Sequence, residues 1–301
     1  MTAPPHALAA AVSRRRGGFF LAGDRDPERD RRTGAAWVQW EAPAEPDPAL
    51  PPVILVHGGG GQSTDWMWAS AGQPGWAELF VAAGHPTYLF DRPGHGRSPW
   101  DPDTMGARDP APDAAALRSL FGLDRAGGAP ELTPIEAPAT GLPHDTPRAQ
   151  TVEAARLAAL LARTGPAVLV AHSAGAPGVW LAADRHPELV RAVVAVEPLG
   201  PPHGGPRHAA ALAHGVAAFV LGAAPGTGLA LVPTLVVSAE ASGHAPRDAA
   251  TAAFLRARGV PVEHLELGAH GLRGDGHGLI FDTNSTAAFE LVHRWCRTVT
   301  A

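Results

Sequence analysis

The chain has 301 residues, which suits one large domain with a buried core and leaves little room for a second. Hydrophobic residues make up 45% of it and charged residues 18%, which excludes a disordered chain or a fibre. The formal net charge is -5, and the longest basic run is Arg14-Arg15-Arg16, which we interpret as a solvated face. We therefore expect no nucleic-acid partner.

Composition also limits the chemistry. All 24 basic side chains counted as lysine and arginine are arginine, which excludes Schiff-base lysine chemistry and a P-loop lysine. The single cysteine, Cys296, has no intramolecular disulfide partner and lies in a helix-like stretch, so we expect a buried, inert thiol. Residues 1–12 lack the pattern of a secretory signal, and no window reaches the length of a membrane span. We expect a soluble cytoplasmic protein without a membrane partner, with the oligomeric state open and a homodimer as one option.

The first half of the chain predicts a hairpin and then alternating strands and helices. Two short strands at 18–23 and 35–40, joined by a charged turn, form the hairpin. The apolar run Val53-Ile54-Leu55-Val56 is typical of a strand buried on both faces of a parallel sheet. Helical spacing at 75–83 precedes another buried strand at 86–90.

The second half continues the alternation and contains two interruptions. Predicted helices cover 150–163, 179–185, 248–258 and 284–297, and predicted strands cover 167–170, 192–196, 234–238 and 262–267. Such alternation predicts right-handed crossovers, and hence an α/β fold with a mostly parallel sheet, helices on both faces and a single domain over 1–301. Residues 100–148 and 198–230 break the pattern, the latter with a short helix near 207–221, and we interpret both as lid or cap segments.

The strongest chemical signal surrounds Ser173. An apolar strand, then Ala171-His172-Ser173-Ala174-Gly175, then a helix is the layout of a nucleophile elbow. The residues two before and two after the serine must be small in so sharp a turn, and Ala171 and Gly175 are. A serine that only caps a helix fits the same five residues. His172 should point away from the serine, which favours a packing role.

A glycine-rich loop supplies a second part of the site. His57 is followed by four glycines at the end of an earlier strand, where backbone N–H groups can stabilise an oxyanion. We assign the donors to Gly59 and Ala174, with Gly58 and Gly60 as close competitors, and a flexible turn is the alternative. The predicted substrate-binding residues are Gly58, Gly60, His172 and Trp66, with Trp68 and Trp100 as further candidates for an apolar pocket wall.

The general base should be a histidine in the loop after the last strand. His277 is favoured because it lies between that strand and the final helix, and His270 in the same loop is the best rival. The acid that orients the base should stand at the end of a strand after the elbow. Glu197 follows the strand at 192–196, and we favour it over Glu240, which comes slightly too early after the next strand.

These motifs together carry a family resemblance. The residues that carry it are Trp76, Phe80, Gly84, Tyr88, Asp91, Gly94 and Gly96-Arg97-Ser98, then 171–175, Val196-Glu197-Pro198, and Gly276-His277 with Asn284-Ser285. Together they resemble the α/β-hydrolase branch that includes the bacterial esterases called esterase 713-like. The resemblance spans roughly residues 17–297 and implies a triad of Ser173, Glu197 and His277. The sequence departs from it at Gly59-Gly60, where that branch can carry adjacent cysteines, and this difference bears on the substrate.

The remaining motifs favour structural roles. Asp91 and Arg97 are expected to shape a loop beside the site, and Asn284 to cap the final helix. No HExxH, paired CxxC or P-loop pattern occurs, so neither a metal nor another cofactor is expected.

The leading hypothesis is a serine hydrolase that acts on a small-molecule ester or lactone through an acyl-enzyme. The same residues would also serve an acyltransferase, an amidase or a carbon–carbon hydrolase. A non-catalytic protein that binds a small molecule is the alternative from another class.

Overall fold

Within the described part of the chain, the central sheet has eight strands and is mostly parallel. The computed structural model describes residues 13–125, 130–143, 146–200 and 228–301. The strands are β1 (Arg14–Leu21), β4 (Ala36–Pro43), β5 (Val53–Val56), β6 (Thr87–Asp91), β7 (Ala167–His172), β8 (Val190–Val196), β9 (Thr234–Ser238) and β10 (Val262–Glu266). Their order is β1-β4-β6-β5-β7-β8-β9-β10, and all neighbouring pairs from β6 to β10 are parallel. The predicted α/β class is confirmed.

The opening hairpin is confirmed and is longer than predicted. β1 pairs antiparallel with β4, from Arg14 opposite Pro43 to Leu21 opposite Ala36, and β4 continues the sheet by pairing antiparallel with β6. The charged turn contains a further small hairpin, β2 (Asp24–Asp26) with β3 (Arg31–Thr33). Its three-residue strands carry no apolar alternation, so the sequence pattern could not reveal them.

Helices cover both faces of the sheet, as predicted. They are α1 (Trp76–Ala82), α5 (Thr146–Thr164), α6 (Ala176–Arg185), α7 (Ala245–Arg256) and α8 (Ser285–Thr300). Side chains of α5, α6 and α7 share one core cluster with Ile54 and Val56, whereas those of α1 and α8 share a second cluster with Val53 and Leu55. Successive strand residues point to opposite faces, which explains why β5 is apolar at every position.

The final helix starts where predicted, but its cap is different. Asn284 precedes α8, yet its side chain makes no capping hydrogen bond. Its amide nitrogen instead donates to the carbonyl of Arg273 and to Asp275 Oδ1, at 2.9 and 3.1 Å. The predicted asparagine cap is therefore wrong, since this side chain fastens the preceding loop. Cys296 in α8 is buried as predicted, and burial raises the pKa of its thiol to about 12.

Of the first predicted lid segment, residues that include Leu117, Ile135 and Leu142 lie near Ser173 and His277, beside the carboxyl ends of the strands. The described C-terminal end of the second segment lies elsewhere, because Leu229 comes shortly before the amino end of β9 and its amide donates to Asp184 of α6. The described residues between 100 and 143 contain three short helices, α2 (Pro102–Met105), α3 (Ala114–Phe121) and α4 (Thr133–Glu136). The Asp113 side chain caps α3 by accepting from the Ala116 amide at 2.8 Å. The helix predicted near 207–221 lies outside the described residues. No helix in the described ranges is both long enough and apolar enough to span a bilayer.

Candidate active site

Ser173 stands at the turn between β7 and α6. Its φ is +47°, a left-handed conformation that is uncommon for a residue with a side chain. The strand ends at His172, a short 3-10 helix covers Ser173–Gly175, and α6 begins at Ala176. A Cβ on Gly175 would lie 2.5 Å from the carbonyl oxygen of His57 and 3.0 Å from Val56 Cγ1. The structure thus gives a steric reason for the small residue expected there.

The imidazole of His277 faces the serine. His277 Nε2 lies 2.9 Å from Ser173 Oγ, and the residue sits in the loop between β10 and α8, with 3% of its surface exposed. Burial lowers the pKa of His277, and the neighbouring Glu197 carboxylate partly opposes that change. The rival, His270, is exposed at the end of a 3-10 helix and is not among the described residues that line the cavity beside Ser173.

Glu197 lies behind the imidazole, directly after β8. Its φ is +48°, and its Oε2 is 3.2 Å from His277 Nδ1. The carboxylate is fully buried, and its Oε1 accepts from the Ala239 amide at 2.6 Å and from Ser242 Oγ at 3.0 Å. Burial alone would raise the pKa of Glu197, but hydrogen bonds from His244 and His277 outweigh it and lower the pKa to about 2.

The alternative acid, Glu240, serves a different purpose. Its side chain is exposed, and Oε2 accepts from the Gly274 amide at 3.1 Å. Glu240 therefore braces the loop that carries His277, whereas the structure brings Glu197 to the imidazole itself.

A second histidine contacts the same carboxylate, and the sequence analysis missed it. His244 Nδ1 lies 2.9 Å from Glu197 Oε2 and 3.1 Å from His277 Nδ1. Its side chain is 26% exposed and lines the cavity. His244 follows Ser242-Gly243 in the loop after β9. A search of that loop for any titratable side chain could have found it.

The glycine loop after β5 borders the serine. Gly58, Gly59 and Gly60 all line the cavity. A Cβ on Gly59 would lie 3.1 Å from Ala174 Cβ, so these two residues are neighbours. A Cβ on Gly58 would lie 2.8 Å from His172 Nδ1 and 3.3 Å from Ser173 Cβ. Only glycine lets this loop approach the elbow so closely.

The cavity in front of Ser173 has a volume of about 340 Å³ and a largely apolar wall. Its apolar side chains come mainly from α3, α4 and the loops around the sheet: Leu117, Leu120, Phe121, Ile135, Leu142, Leu199 and Phe281. His172 also borders it, and its Nε2 donates to the carbonyl of His277 at 2.8 Å. His172 thus fastens the loop of the facing histidine. Burial lowers the pKa of His172 to about 3.

Trp66 is not a wall of this cavity, and that prediction is wrong. Its side chain is fully buried in the core cluster that contains Val53 and Leu55, with its ring centroid 5.7 Å from that of Trp76. Trp68 lies behind the wall, stacked on Phe281 at 4.9 Å, and Trp100 packs against Arg108 at 3.9 Å. Trp66 is a core residue, whereas Trp68 and Trp100 are partly buried. That Trp66 and Trp68 lie close to the glycine loop in sequence did not reveal which way their side chains point.

The loop from Asp91 to Ser98 has the structural role expected of it. The buried Asp91 carboxylate accepts from the Ser63 amide at 2.8 Å and from Arg97 Nε at 2.9 Å. Arg97 also donates to Ser63 Oγ at 2.8 Å. These bonds join the loop after β6 to the segment that follows the glycine loop.

Comparison with known proteins identifies the family. A family model described as alpha/beta hydrolase fold matches residues 51–224, more than half of the chain. This chain belongs to the α/β-hydrolase fold family. The hydrolase is 30% identical over 295 residues to a probable secreted lipase, phiG, from Fungal sp. (strain ATCC 74256), with 81% of each chain covered. The resemblance to the superfamily inferred from the motifs is therefore confirmed, and the protein is an enzyme of the hydrolase class.

Solved structures show the same fold. A structure described as a novel bacterial esterase matches the hydrolase with a TM-score of 0.74 and 22% identity, over 97% of this chain and 98% of that one. A thermophilic esterase from Thermogutta terrifontis matches with a TM-score of 0.53 and 14% identity, over 94% and 100% of the respective chains. At these identities the likeness concerns the fold alone.

Proposed function

We propose that this hydrolase cleaves carboxylic esters or lactones through an acyl-enzyme on Ser173. One observation carries the proposal: His277 Nε2 is 2.9 Å from Ser173 Oγ while His277 Nδ1 is 3.2 Å from Glu197 Oε2. With its Nδ1 proton directed to Glu197, the imidazole presents a free electron pair to the serine hydroxyl. The arrangement has the order nucleophile, base and orienting acid that acyl transfer needs.

The proposed reaction has two halves. Ser173 Oγ attacks the acyl carbonyl as its proton moves to His277 Nε2, and the alcohol then leaves with that proton, so that the acyl group is bonded to Ser173. Water attacks this ester next, with His277 as the base, and the carboxylic acid departs as Ser173 regains its proton. Glu197 stabilises the imidazolium in both halves, because its carboxylate is ionised and directly hydrogen-bonded to it.

The backbone amides of Gly59 and Ala174 are the proposed oxyanion donors. The two residues are neighbours on the cavity wall beside Ser173, Gly59 in the loop after β5 and Ala174 in the 3-10 turn that follows β7. Their N–H groups would stabilise the negative charge that forms on the carbonyl oxygen. Gly58 and Gly60 would then bind the substrate by van der Waals contact.

An ester with an apolar acyl group is the proposed substrate class. The cavity wall is mainly aliphatic and aromatic, which favours burial of hydrocarbon. The names of two similar proteins, a probable lipase and an esterase, agree with that class.

Labelling with a fluorophosphonate tests the nucleophile. The probe should add one phosphonyl group to the intact protein, detected by mass spectrometry, and Ser173→Ala should remain unlabelled. Equal labelling of the Ser173→Ala variant would disprove the assignment. Absence of a mass shift in the wild-type protein, with tight binding of an ester-like ligand but no turnover, would indicate a non-catalytic binding protein instead.

A panel of p-nitrophenyl esters and lactones then resolves the bond type. We expect turnover of apolar esters, and lactone hydrolysis in parallel would extend the class to cyclic esters. Activity confined to amides would contradict the proposal.

A further inference from the structure

Three potential metal-ligand atoms, one of them on His277, lie close together on the side of the His277 imidazole that faces away from Ser173. Glu197 Oε2, His244 Nδ1 and His277 Nδ1 form a triangle with edges of 2.9, 3.1 and 3.2 Å. Each comes from a loop at the end of a different strand, β8, β9 or β10. Among the described residues, this is the one group of three or more histidine, cysteine or carboxylate side chains whose ligand atoms all lie within 4.8 Å of one another.

The dimensions of this triangle suit a tetrahedral ion. Zn²⁺ binds histidine nitrogen and carboxylate oxygen at about 2.0–2.2 Å, which separates neighbouring ligands by about 3.3 Å. The three edges are shorter than that by only a few tenths of an ångström. Two imidazoles and one carboxylate, with a fourth position for water, are also a donor set that Zn²⁺ favours.

We propose that Glu197, His244 and His277 form an inhibitory Zn²⁺ site. An ion can enter from the cavity, because His244 lines it and is partly exposed. Coordination uses the electron pair of His277 Nδ1, so the proton of the neutral imidazole must reside on Nε2. That nitrogen then faces Ser173 Oγ as a donor and can no longer accept the serine proton. Zn²⁺ therefore switches the hydrolase off without contacting Ser173.

The inhibitory effect rests on the proposed function, whereas binding of the ion does not. Ser173→Ala lacks the nucleophile and leaves all three ligands in place. Isothermal titration of Ser173→Ala with ZnCl₂ should therefore show the site even if the enzyme's reaction has been misassigned. Loss of this binding on further substitution of His244 separates the site from other histidines of the chain.

His244→Asn is the decisive variant, with His270→Asn as its matched control. Asparagine can still donate to Glu197, but it is a poor Zn²⁺ ligand, and His270 is an exposed histidine outside the cluster. We expect the Zn²⁺ concentration for half-inhibition to rise at least about tenfold in His244→Asn and to remain unchanged in His270→Asn. Excess EDTA should restore wild-type activity, as measured on a p-nitrophenyl ester.

Two results would overturn the proposal. One is equal Zn²⁺ inhibition of the wild-type and His244→Asn enzymes. The other is equal binding stoichiometry and affinity in calorimetry for Ser173→Ala and for Ser173→Ala/His244→Asn. Circular dichroism of each variant checks that a loss of binding does not arise from unfolding.

Discussion

Glu197 combines several contacts in one buried carboxylate. It receives hydrogen bonds from a backbone amide, a serine hydroxyl and two imidazoles, and each fixes its orientation behind His277. The sequence placed this residue correctly at a strand end, because carboxyl ends of parallel strands meet at one edge of the sheet. It could not indicate the left-handed backbone at Glu197, nor that His244 contacts the same carboxylate, since that contact depends on how the β9–α7 loop folds.

Replacing Glu197 tests its proposed role. Glu197→Gln should reduce kcat about a hundred- to ten-thousandfold, because a neutral amide neither stabilises the imidazolium nor enforces the tautomer. The reduction is measured with a p-nitrophenyl ester at fixed pH. Glu240→Gln provides the control, and its activity should stay close to that of the wild-type enzyme. A fully active Glu197→Gln beside an inactive Glu240→Gln would reverse the assignment.

At the level of elements, the sequence pattern predicted the regular strands and helices but not the short helices that line the cavity. Runs such as that of β5 are apolar at every position because helices bury both faces, and this gives an unmistakable pattern. The short helices α2, α3 and α4 have too few turns for a period to emerge. Most of the apolar cavity wall belongs to α3, α4 and neighbouring loops. The shape of the cavity therefore could not be predicted from the sequence.

Phe121, the last residue of α3, is expected to limit the length of the acyl group. Its ring lies 5.8 Å from that of His277 and 5.6 Å from that of Phe281, and it lines the cavity. Phe121→Ala should increase kcat/KM for long-chain p-nitrophenyl esters relative to the acetate, because the truncation enlarges the apolar space.

Ser119→Ala is the control for Phe121→Ala, since Ser119 is exposed on the same helix. Its chain-length preference should match that of the wild-type enzyme. An unchanged preference in Phe121→Ala, with the variant still folded by thermal melting, would show that another group sets the limit.

For the molecule as a whole, burial of ionisable groups connects stability to pH. His57 is fully buried; its Nδ1 donates to the carbonyl of Gly58 at 2.9 Å and its Nε2 accepts from the Arg92 amide at 3.0 Å. Protonation would destroy the second bond, and burial lowers the pKa of His57 well below its usual value.

The interpretation of residues 1–301 as a single domain stays a prediction at this scale.

Acid should destabilise the protein through His57. Below about pH 6.5 this histidine is protonated in the unfolded chain but stays neutral in the folded chain. The stability that His57 contributes is therefore present at higher pH and is lost as the pH falls. The limiting slope for one such group is about 1.4 kcal/mol per pH unit. His57→Gln should therefore show a weaker pH dependence of its free energy of unfolding between pH 7 and 5, measured with urea.

Carboxyl groups whose pKa is raised by burial act in the opposite direction, among them Asp65, Asp248 and Asp275, so the difference between variants is the informative quantity. Burial raises the pKa of both Asp65 and Asp248 to about 7. The stability that these two groups contribute is therefore present at low pH and is lost as the pH rises toward 7. They are common to both proteins and cancel in the comparison. Identical pH slopes for wild-type and His57→Gln proteins would contradict the prediction, and the exposed His270→Gln controls for removal of a histidine.

If Ser173 is the nucleophile as proposed, its left-handed backbone means that this hydrolase gives up conformational stability to present the serine hydroxyl. A residue with a Cβ at φ +47° costs roughly 1 kcal/mol, and glycine avoids most of that cost. Ser173→Gly should thus melt about 2 °C higher in calorimetry while losing hydrolysis. Ala174→Gly, one residue along the turn, should melt lower than the wild type. A lower melting temperature for Ser173→Gly would instead show that the turn at Ser173 is unstrained. Removing the serine side chain would then not stabilise the protein.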